Sequence, residues 1–166
     1  MAKERLFYDI ISSGEMSVEI VSDEKDNVVY VSLSGDSKST FPHAIPRRSR
    51  WHDDFKGFIS CHVDDLSHIP IDFGFFSHSQ FQRKVWEACR TISYSETMTY
   101  SGFSERFSLG SPRAVGNALA RNPLPLLVPC HRIISKRGIG GFMGVRDGKE
   151  ITMKKMLLEL ETPKNI

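Results

Sequence analysis

Cys130 lies in the run Asn122-Pro123-Leu124-Pro125-Leu126-Leu127-Val128-Pro129-Cys130-His131-Arg132-Ile133-Ile134. Its prolines exclude a helix and hold the segment rigid and extended, so the thiol is presented in a fixed backbone geometry. An imidazole and a guanidinium next to it in sequence are expected to stabilise thiolate, the reactive form of cysteine. An unperturbed thiol ionises near pH ~8.5, and each unit of lowering is about 1.4 kcal/mol in favour of the nucleophile. Sequence adjacency does not bring a base within reach, and a buried structural cysteine is the competing reading. The polar, proline-rich context favours the nucleophile.

The remaining cysteines offer less. Cys89 falls on the apolar stripe Phe81, Val85, Ala88, Cys89, Ile92 and reads as a core thiol, so no second thiol is expected beside Cys130. Cys61, beside His62 and near His68, could be half of a metal site, but zinc clusters show tighter paired spacing and no metal is expected. Three widely spaced cysteines without a C-x-x-C pair exclude a disulfide framework and a zinc ribbon and fit a reducing compartment. The first residues, MAKERLFYDI, lack the features of a secretory signal, and no apolar run approaches the roughly 20 residues of a membrane span. The expected place is the cytoplasm, on the nucleoid in a prokaryote or in the nucleus of a eukaryote, with no membrane partner.

The elements that would position Cys130 fall into two halves of opposite charge. Residues 1–78 carry 8 Lys/Arg against 13 Asp/Glu, and residues 79–166 carry 14 against 7, which points to a polyanion contact confined to the back half. In the front half, Phe7–Ile11, Ser17–Val21 and Val28–Leu33 read as an antiparallel meander. Trp51, Phe55, Phe58 and Ile59 predict an amphipathic helix from about Pro46 to Cys61, and Ile69–Phe73 a further short strand.

After a break at Gly74–Ser79 the pattern Phe81, Val85, Trp86, Cys89, Ile92 is helical. Ser101 is read as the cap of a short helix to about Phe107, Leu109-Gly110-Ser111 as a turn, and Pro112 as the first position of a helix continuing through Arg121. Two short helices about a glycine-containing turn are a helix-turn-helix signature. On the second, Ala114, Gly116, Ala118 and Ala120 are read as a small-residue outer side between Arg113 and Arg121, which would let backbone and helix N-terminus approach a phosphate chain.

Pro129-Cys130-His131-Arg132-Ile133-Ile134, Asn122-Pro123 eight residues before the cysteine, and the run Arg113–Leu119 together resemble the O6-alkylguanine-DNA alkyltransferase family. Phe81-Gln82-Arg83-Lys84-Val85-Trp86, Glu96–Tyr100 and Lys154–Glu161 extend the resemblance over about residues 69–166. It implies an α/β (α+β) fold, with a small antiparallel-sheet, ribonuclease-H-like domain at 1–76 and a winged-helix-like domain with a helix-turn-helix at 77–166. It implies repair of double-stranded DNA from the minor groove by a monomer, with cooperative assembly on DNA left open and no cofactor. The alkyl group of O6-alkylguanine, and of O4-alkylthymine, passes once to Cys130 as thiolate attacks the alkyl carbon and the base oxygen leaves.

The resemblance also assigns roles. His131 is the base of Cys130 through a water, Glu161 orients the imidazole, and Asn122 braces the turn. Tyr100 helps rotate the nucleotide outward and donates to the guanine ring, while Arg113 fills the space left in the base stack. Base extrusion is needed because the reacting carbon cannot be approached inside the duplex. Ala114, Gly116, Arg121, Gln82 and Thr99 complete the DNA-binding set, and Tyr100, Pro125, Ile133, Phe142, Met143 and Lys154 the substrate pocket. Carbonyls near Cys130 and Ile133 accept from the exocyclic amine of guanine. In the substrate loop Gly138–Val145 the chain departs from the family: the loop is one residue shorter, Phe142 stands where Tyr is typical, and Val145 replaces a glycine. These departures bear on the size limit for larger alkyl groups.

Three other readings compete. A lesion-sensing relative would lack the acceptor cysteine. A winged-helix regulator would need base-reading side chains where this second helix has Ala and Gly. A cysteine hydrolase would not be expected to set its nucleophile in P-C-H-R.

Overall fold

Apolar alternation in Phe7–Ser13 (β1) and Met16–Ser22 (β2), joined through Gly14, gives an antiparallel hairpin that pairs Phe7 with Ser22 and Ser13 with Met16. Val28–Ser32 (β3) adds to β2, also antiparallel. These are the three expected strands. The computed structural model describes residues 5–33 and 39–162, and contacts divide the chain into two compact units. One runs to Phe76 and reclaims Pro123–Leu127; the other takes Ser77–Asn122 and continues from Val128.

In the first unit the stretch after Pro46 is not helical from its start. Ile45–Pro46 (β4) runs parallel to β1, with Ile45 N donating to Leu6 O at 2.9 Å and Arg47 N to Tyr8 O at 3.0 Å. The helix, α1, is only His52–Ile59. Its start is held by Asp9 of β1, whose carboxylate accepts from Ser49 N at 2.8 Å and meets His52 Nδ1 at 2.7 Å. The expected strand Ile69–Phe73 reduces to one bridge, between Ile71 and Val28, before a 3₁₀ turn at Phe73–Phe75. Val31 N donates to Pro123 O at 2.9 Å, so the proline-rich run is tied back to β3.

The second unit comprises Gln80–Cys89 (α2), Met98–Thr99 (β5), Tyr100–Arg106 (α3), Pro112–Leu119 (α4), Ile133–Ile134 (β6) and Lys149–Glu161 (α5). Ser79 and Gln82 cap α2 reciprocally: Ser79 Oγ accepts from Gln82 N at 3.1 Å, and Gln82 Oε1 accepts from Ser79 N at 2.8 Å. The cap of α3 is Thr99, not Ser101, because the Thr99 hydroxyl accepts from Gly102 N while its own backbone is extended. Ser111 caps α4 and Pro112 opens it. Ala118, expected on the outer side, faces inward at 3% exposure beside Val115 and Leu119. β5 and β6 pair in parallel, Met98 with Ile133 and Thr99 with Ile134, which brings the start of α3 beside the end of the Cys130 turn.

The described residues thus make a mixed α/β fold with a small, largely antiparallel four-stranded sheet, a two-stranded parallel pair and five α-helices. No helix of the described residues is long and apolar enough to cross a membrane.

Trp86 of α2 is buried, and its Nε1 donates to Ala118 O of α4 at 2.9 Å. Trp86→Phe keeps an aromatic ring but removes one of two bonds that Ala118 O accepts, the other coming from Arg121 N at 3.2 Å, and should cost about 0.5–1.5 kcal/mol of unfolding free energy in urea denaturation. An unchanged midpoint would remove this bond as a tie between α2 and α4.

Candidate active site

Pro129, with φ −77° and ψ 62°, makes an inverse γ-turn in which Cys130 N donates to Val128 O at 2.7 Å. Cys130–Arg132 then close one 3₁₀ turn that runs into β6. Proline's fixed φ suits this geometry, which is why the cysteine follows a proline. The Asn122 amide spans the turn, donating to Val128 O at 2.9 Å and to Cys130 Sγ at 3.2 Å.

Cys130 is 5% exposed, and burial pushes its thiol above the ordinary value. The Asn122 amide, the Lys154 charge and nearby backbone amides pull the other way without winning. The thiolate stabilisation expected from His131 and Arg132 is not found in the resting site, because burial favours the neutral imidazole and Arg132 pairs with Glu161. Arg132 donates from Nε to the two Glu161 oxygens at 3.2 and 2.9 Å and from a terminal nitrogen to Oε1 at 2.8 Å. Its other terminal nitrogen donates to Ile92 O at 2.6 Å. Burial would raise the Glu161 carboxyl, but hydrogen bonds from His131 and Arg132 hold it at about 2.

His131 is fully buried, with Nε2 2.8 Å from Glu161 Oε1. Burial lowers the imidazole from its ordinary value even against that carboxylate. A neutral ring donating Nε2–H to Glu161 leaves Nδ1 as a bare acceptor, and Nδ1 is buried with no hydrogen-bond partner among the described residues. The second buried thiol was not anticipated as a neighbour: burial pushes Cys89 well up, and Cys130 is the next influence on it.

Tyr100 opens α3, and burial, with Cys130 adding to it, holds its phenol at about 12, so it remains a donor. It donates to Gly141 O at 3.2 Å. Its ring runs close to two glycines. A Cβ at Gly116 would sit 3.7 Å from the ring, whereas one at Gly140, where φ is +74°, would meet Tyr100 at 3.1 Å and Ser135 N at 3.0 Å. Lys154 is buried on α5 and donates to Ile133 O at 2.6 Å and Gly141 O at 3.0 Å. The Ile133 carbonyl, expected to read the exocyclic amine, thus already serves Lys154 with one of its two lone pairs.

Phe142 is buried, while Met143 and Val145 are exposed at the end of a tight turn closed by Phe142 N to Val145 O at 2.9 Å and Val145 N to Phe142 O at 3.0 Å. Met143 there has φ +48°, an uncommon conformation for its type. Arg113 and Arg121 are exposed on and just after α4, with Ala114 and Gly116 half-buried between them. Gln82 and Thr99 hold helix caps, and Pro125 is counted with the first unit. A cleft of about 500 Å³ is lined by Ser95, Thr97, Lys136, Leu158 and Glu161, so it reaches the far end of the relay, not the sulfur. Among the described residues no group of three or more His, Cys, Asp or Glu could hold a metal. Sequence reasoning missed Arg132 as the clamp on Glu161 and the Gly141 carbonyl as the meeting point of Tyr100 and Lys154; neither pairing has a local signal.

Similarity to known proteins agrees with this geometry. The chain is 41% identical over 98 residues to the methylated-DNA--protein-cysteine methyltransferase of Methanocaldococcus vulcanius, covering 59% of this chain and 56% of the relative. It is 43% identical over 103 residues to that of Methanothermobacter thermautotrophicus, covering 61% and 53%. The chain spans about half the length of the curated relatives it matches. The crystal structure of Mycobacterium tuberculosis O6-methylguanine methyltransferase superposes with a TM-score of 0.78 at 25% identity over 96% of each chain. The structure of the same organism's OGT in complex with DNA gives 0.76 at 28%, over 93% of this chain and 92% of that one. Residues 80–163, just over half the chain and including every residue of the Cys130 cluster, match the family model described as the 6-O-methylguanine DNA methyltransferase, DNA binding domain, and the chain belongs to that family.

Proposed function

We propose that this chain reverses DNA alkylation directly, moving the alkyl group of O6-alkylguanine, and of O4-alkylthymine, onto Cys130 Sγ once per molecule. The observation that carries this reading is the neutral, buried His131 directly after a buried cysteine, its Nε2 tied to Glu161 and its Nδ1 without a partner. This is the logic of a base held in one tautomer by a carboxylate.

The thiol proton passes to His131 Nδ1 through a water. The sulfur forms a bond to the alkyl carbon as the carbon–O6 bond breaks, and the electron pair stays with guanine. Tyr100, a donor throughout the neutral range, offsets the charge that develops on the purine. Asn122 holds Sγ in line. The product is a thioether, which has no easy reverse, so the protein is consumed. No cofactor takes part.

The partner is duplex DNA approached from the minor groove by a monomer, with α4 against the backbone, Arg113 in the vacated stack and the damaged base turned out of the helix. Exposed Arg113 and Arg121 flanking half-buried Ala114 and Gly116 support that placement. On this reading the first unit is a ribonuclease-H-like scaffold and the second a winged-helix-like domain, working wherever the cell keeps its DNA.

Three outcomes are expected. Mixing the protein with a duplex carrying labelled O6-methylguanine should place one equivalent of label on the Cys130 peptide; label elsewhere, or beyond one equivalent, refutes the mechanism. Arg113→Ala should slow repair in duplex far more than transfer from the free alkylated base, and equal losses would remove Arg113 from base extrusion. Because burial holds the Cys130 thiol above its ordinary value, the transfer rate should keep rising from pH 7 into the alkaline range. A plateau reached below neutrality would contradict that.

A further inference from the structure

Two buried side chains donate to one carboxylate oxygen. Glu161 Oε1 accepts from His131 Nε2 at 2.8 Å and from a terminal nitrogen of Arg132 at 2.8 Å, while Arg132 Nε donates to Oε2 at 2.9 Å. A carboxylate withdrawn from water needs a partner that balances its charge, and a guanidinium, which does not release its proton in proteins, does so outright. We propose that Arg132 is a positioning residue for alkyl transfer: by balancing Glu161 it lets the carboxylate hold the His131 Nε2–H without drawing a further proton into the pair, and so keeps Nδ1 an open acceptor. This rests on the reading of Cys130 as the acceptor of the alkyl group.

Counting protons shows what the guanidinium prevents. Without Arg132, a neutral His131 donating to an ionised Glu161 is a buried pair of net charge −1, and burial drives such a pair to take up one proton. That proton has two places to go. On the ring it makes an imidazolium, with N–H at both nitrogens; on the carboxyl it is donated to Nε2, and the neutral ring then carries its own proton on Nδ1. Either way Nδ1 becomes a donor and cannot take the thiol proton. The segment between α2 and β5 fixes the guanidinium where it is needed. Ile92 O accepts from its other terminal nitrogen at 2.6 Å, and the Tyr94 ring lies 5.8 Å from its central carbon. Tyr94 also donates to Leu160 O at 3.1 Å, and Ser95 N to Glu161 Oε2 at 3.2 Å, so the same corner grips the end of α5. The other groups about the ring do not replace Arg132 at the carboxylate. Lys154 of α5 opposes protonation of His131 but donates to the carbonyls of Ile133 and Gly141, and burial keeps the thiols of Cys130 and of Cys89 on α2 protonated. Burial is the first influence lowering His131, Glu161 raises it, and Arg132 works against Glu161.

The test is ¹⁵N NMR of the intact protein with labelled histidine, the His131 ring signals assigned among the six histidines by His131→Gln. At pH 7 the parent should show Nδ1 as a bare ring nitrogen, and Arg132→Met should show it protonated. Arg132→Lys, which returns a positive charge, should restore the bare nitrogen. Transfer from an O6-methylguanine duplex should fall about a hundredfold at pH 7 in Arg132→Met, the lower end of what a positioned base contributes, and recover as rising pH removes the extra proton. An arginine that only packs the turn would slow transfer equally at every pH and leave Nδ1 bare in Arg132→Met, and that result overturns the proposal. Arg132→Met combined with Glu161→Gln removes both charges together and keeps the test open should the single variant not fold. Its Nδ1 should be bare, and a protonated Nδ1 there or in the parent also refutes the assignment. The NMR readout needs no alkyl donor: should Nδ1 respond as described while the parent protein transfers no alkyl group, the repair reading fails and the hold of Arg132 on the imidazole stands.

Discussion

The carboxylate of Glu161 holds together parts of the second unit that are distant in sequence. It accepts from His131, from Arg132 and from Ser95 N, and through Arg132 it is joined to the carbonyl of Ile92. The last turn of α5, the turn after Cys130 and the segment between α2 and β5 therefore meet at two oxygens. A buried ion pair is weak evidence for stability, since its desolvation offsets much of its attraction, but removing one partner leaves a charge with no solvent. The chemical consequence is larger. Glu161 takes the guanidinium, so Arg132 hydrogen-bonds a carboxylate rather than the Cys130 sulfur, and it takes Nε2–H, so the His131 ring that burial keeps neutral has its other nitrogen open.

That constraint also marks how far the sequence could be read. The Cys130 turn was legible because its determinants are local: proline restricts φ, removes a donor and pins the residue that follows, so the geometry of Pro129-Cys130 is written in consecutive residues. Asn122 was legible through its spacing from Cys130 within the family pattern. β1, β2 and β3 were legible from alternation and short turns. The helix carrying Phe55, Phe58 and Ile59 was legible too, but its start was not, because β1 offers the segment at Pro46 ladder hydrogen bonds that its apolar spacing does not reveal.

The misreadings at Ser101 and Ala118 have related causes. Thr99 and Ser101 are equally good caps by type, and only the parallel pairing of β5 with β6 decides that the chain turns helical at Tyr100. Ala118 is small enough to suit either face of α4, and the Trp86 indole settles which it takes. The return of Pro123–Leu127 to the first unit is accompanied by a long-range hydrogen bond, to Val31, that no window of sequence contains. Charge pairing is the least local property of all. Arg132 beside Cys130 suggests a thiolate partner by adjacency, yet the side chain reaches a carboxylate 29 residues away.

These pairings give the resting site a particular character. Three basic side chains lie on or beside the turn, but burial has neutralised one, a carboxylate has claimed another, and the third faces carbonyls, so Cys130 remains a thiol. Thiolate character and exposure govern oxidation and stray alkylation. On the proposed function, a cysteine that acts once and is not regenerated would lose its role to any such event. Keeping the sulfur buried and protonated until a base docks would then confine its reactivity to the encounter that uses it. On the same proposal the cost is a slower nucleophile in the free protein, which the brace from Asn122 and the bare nitrogen of His131 are placed to offset when a base arrives.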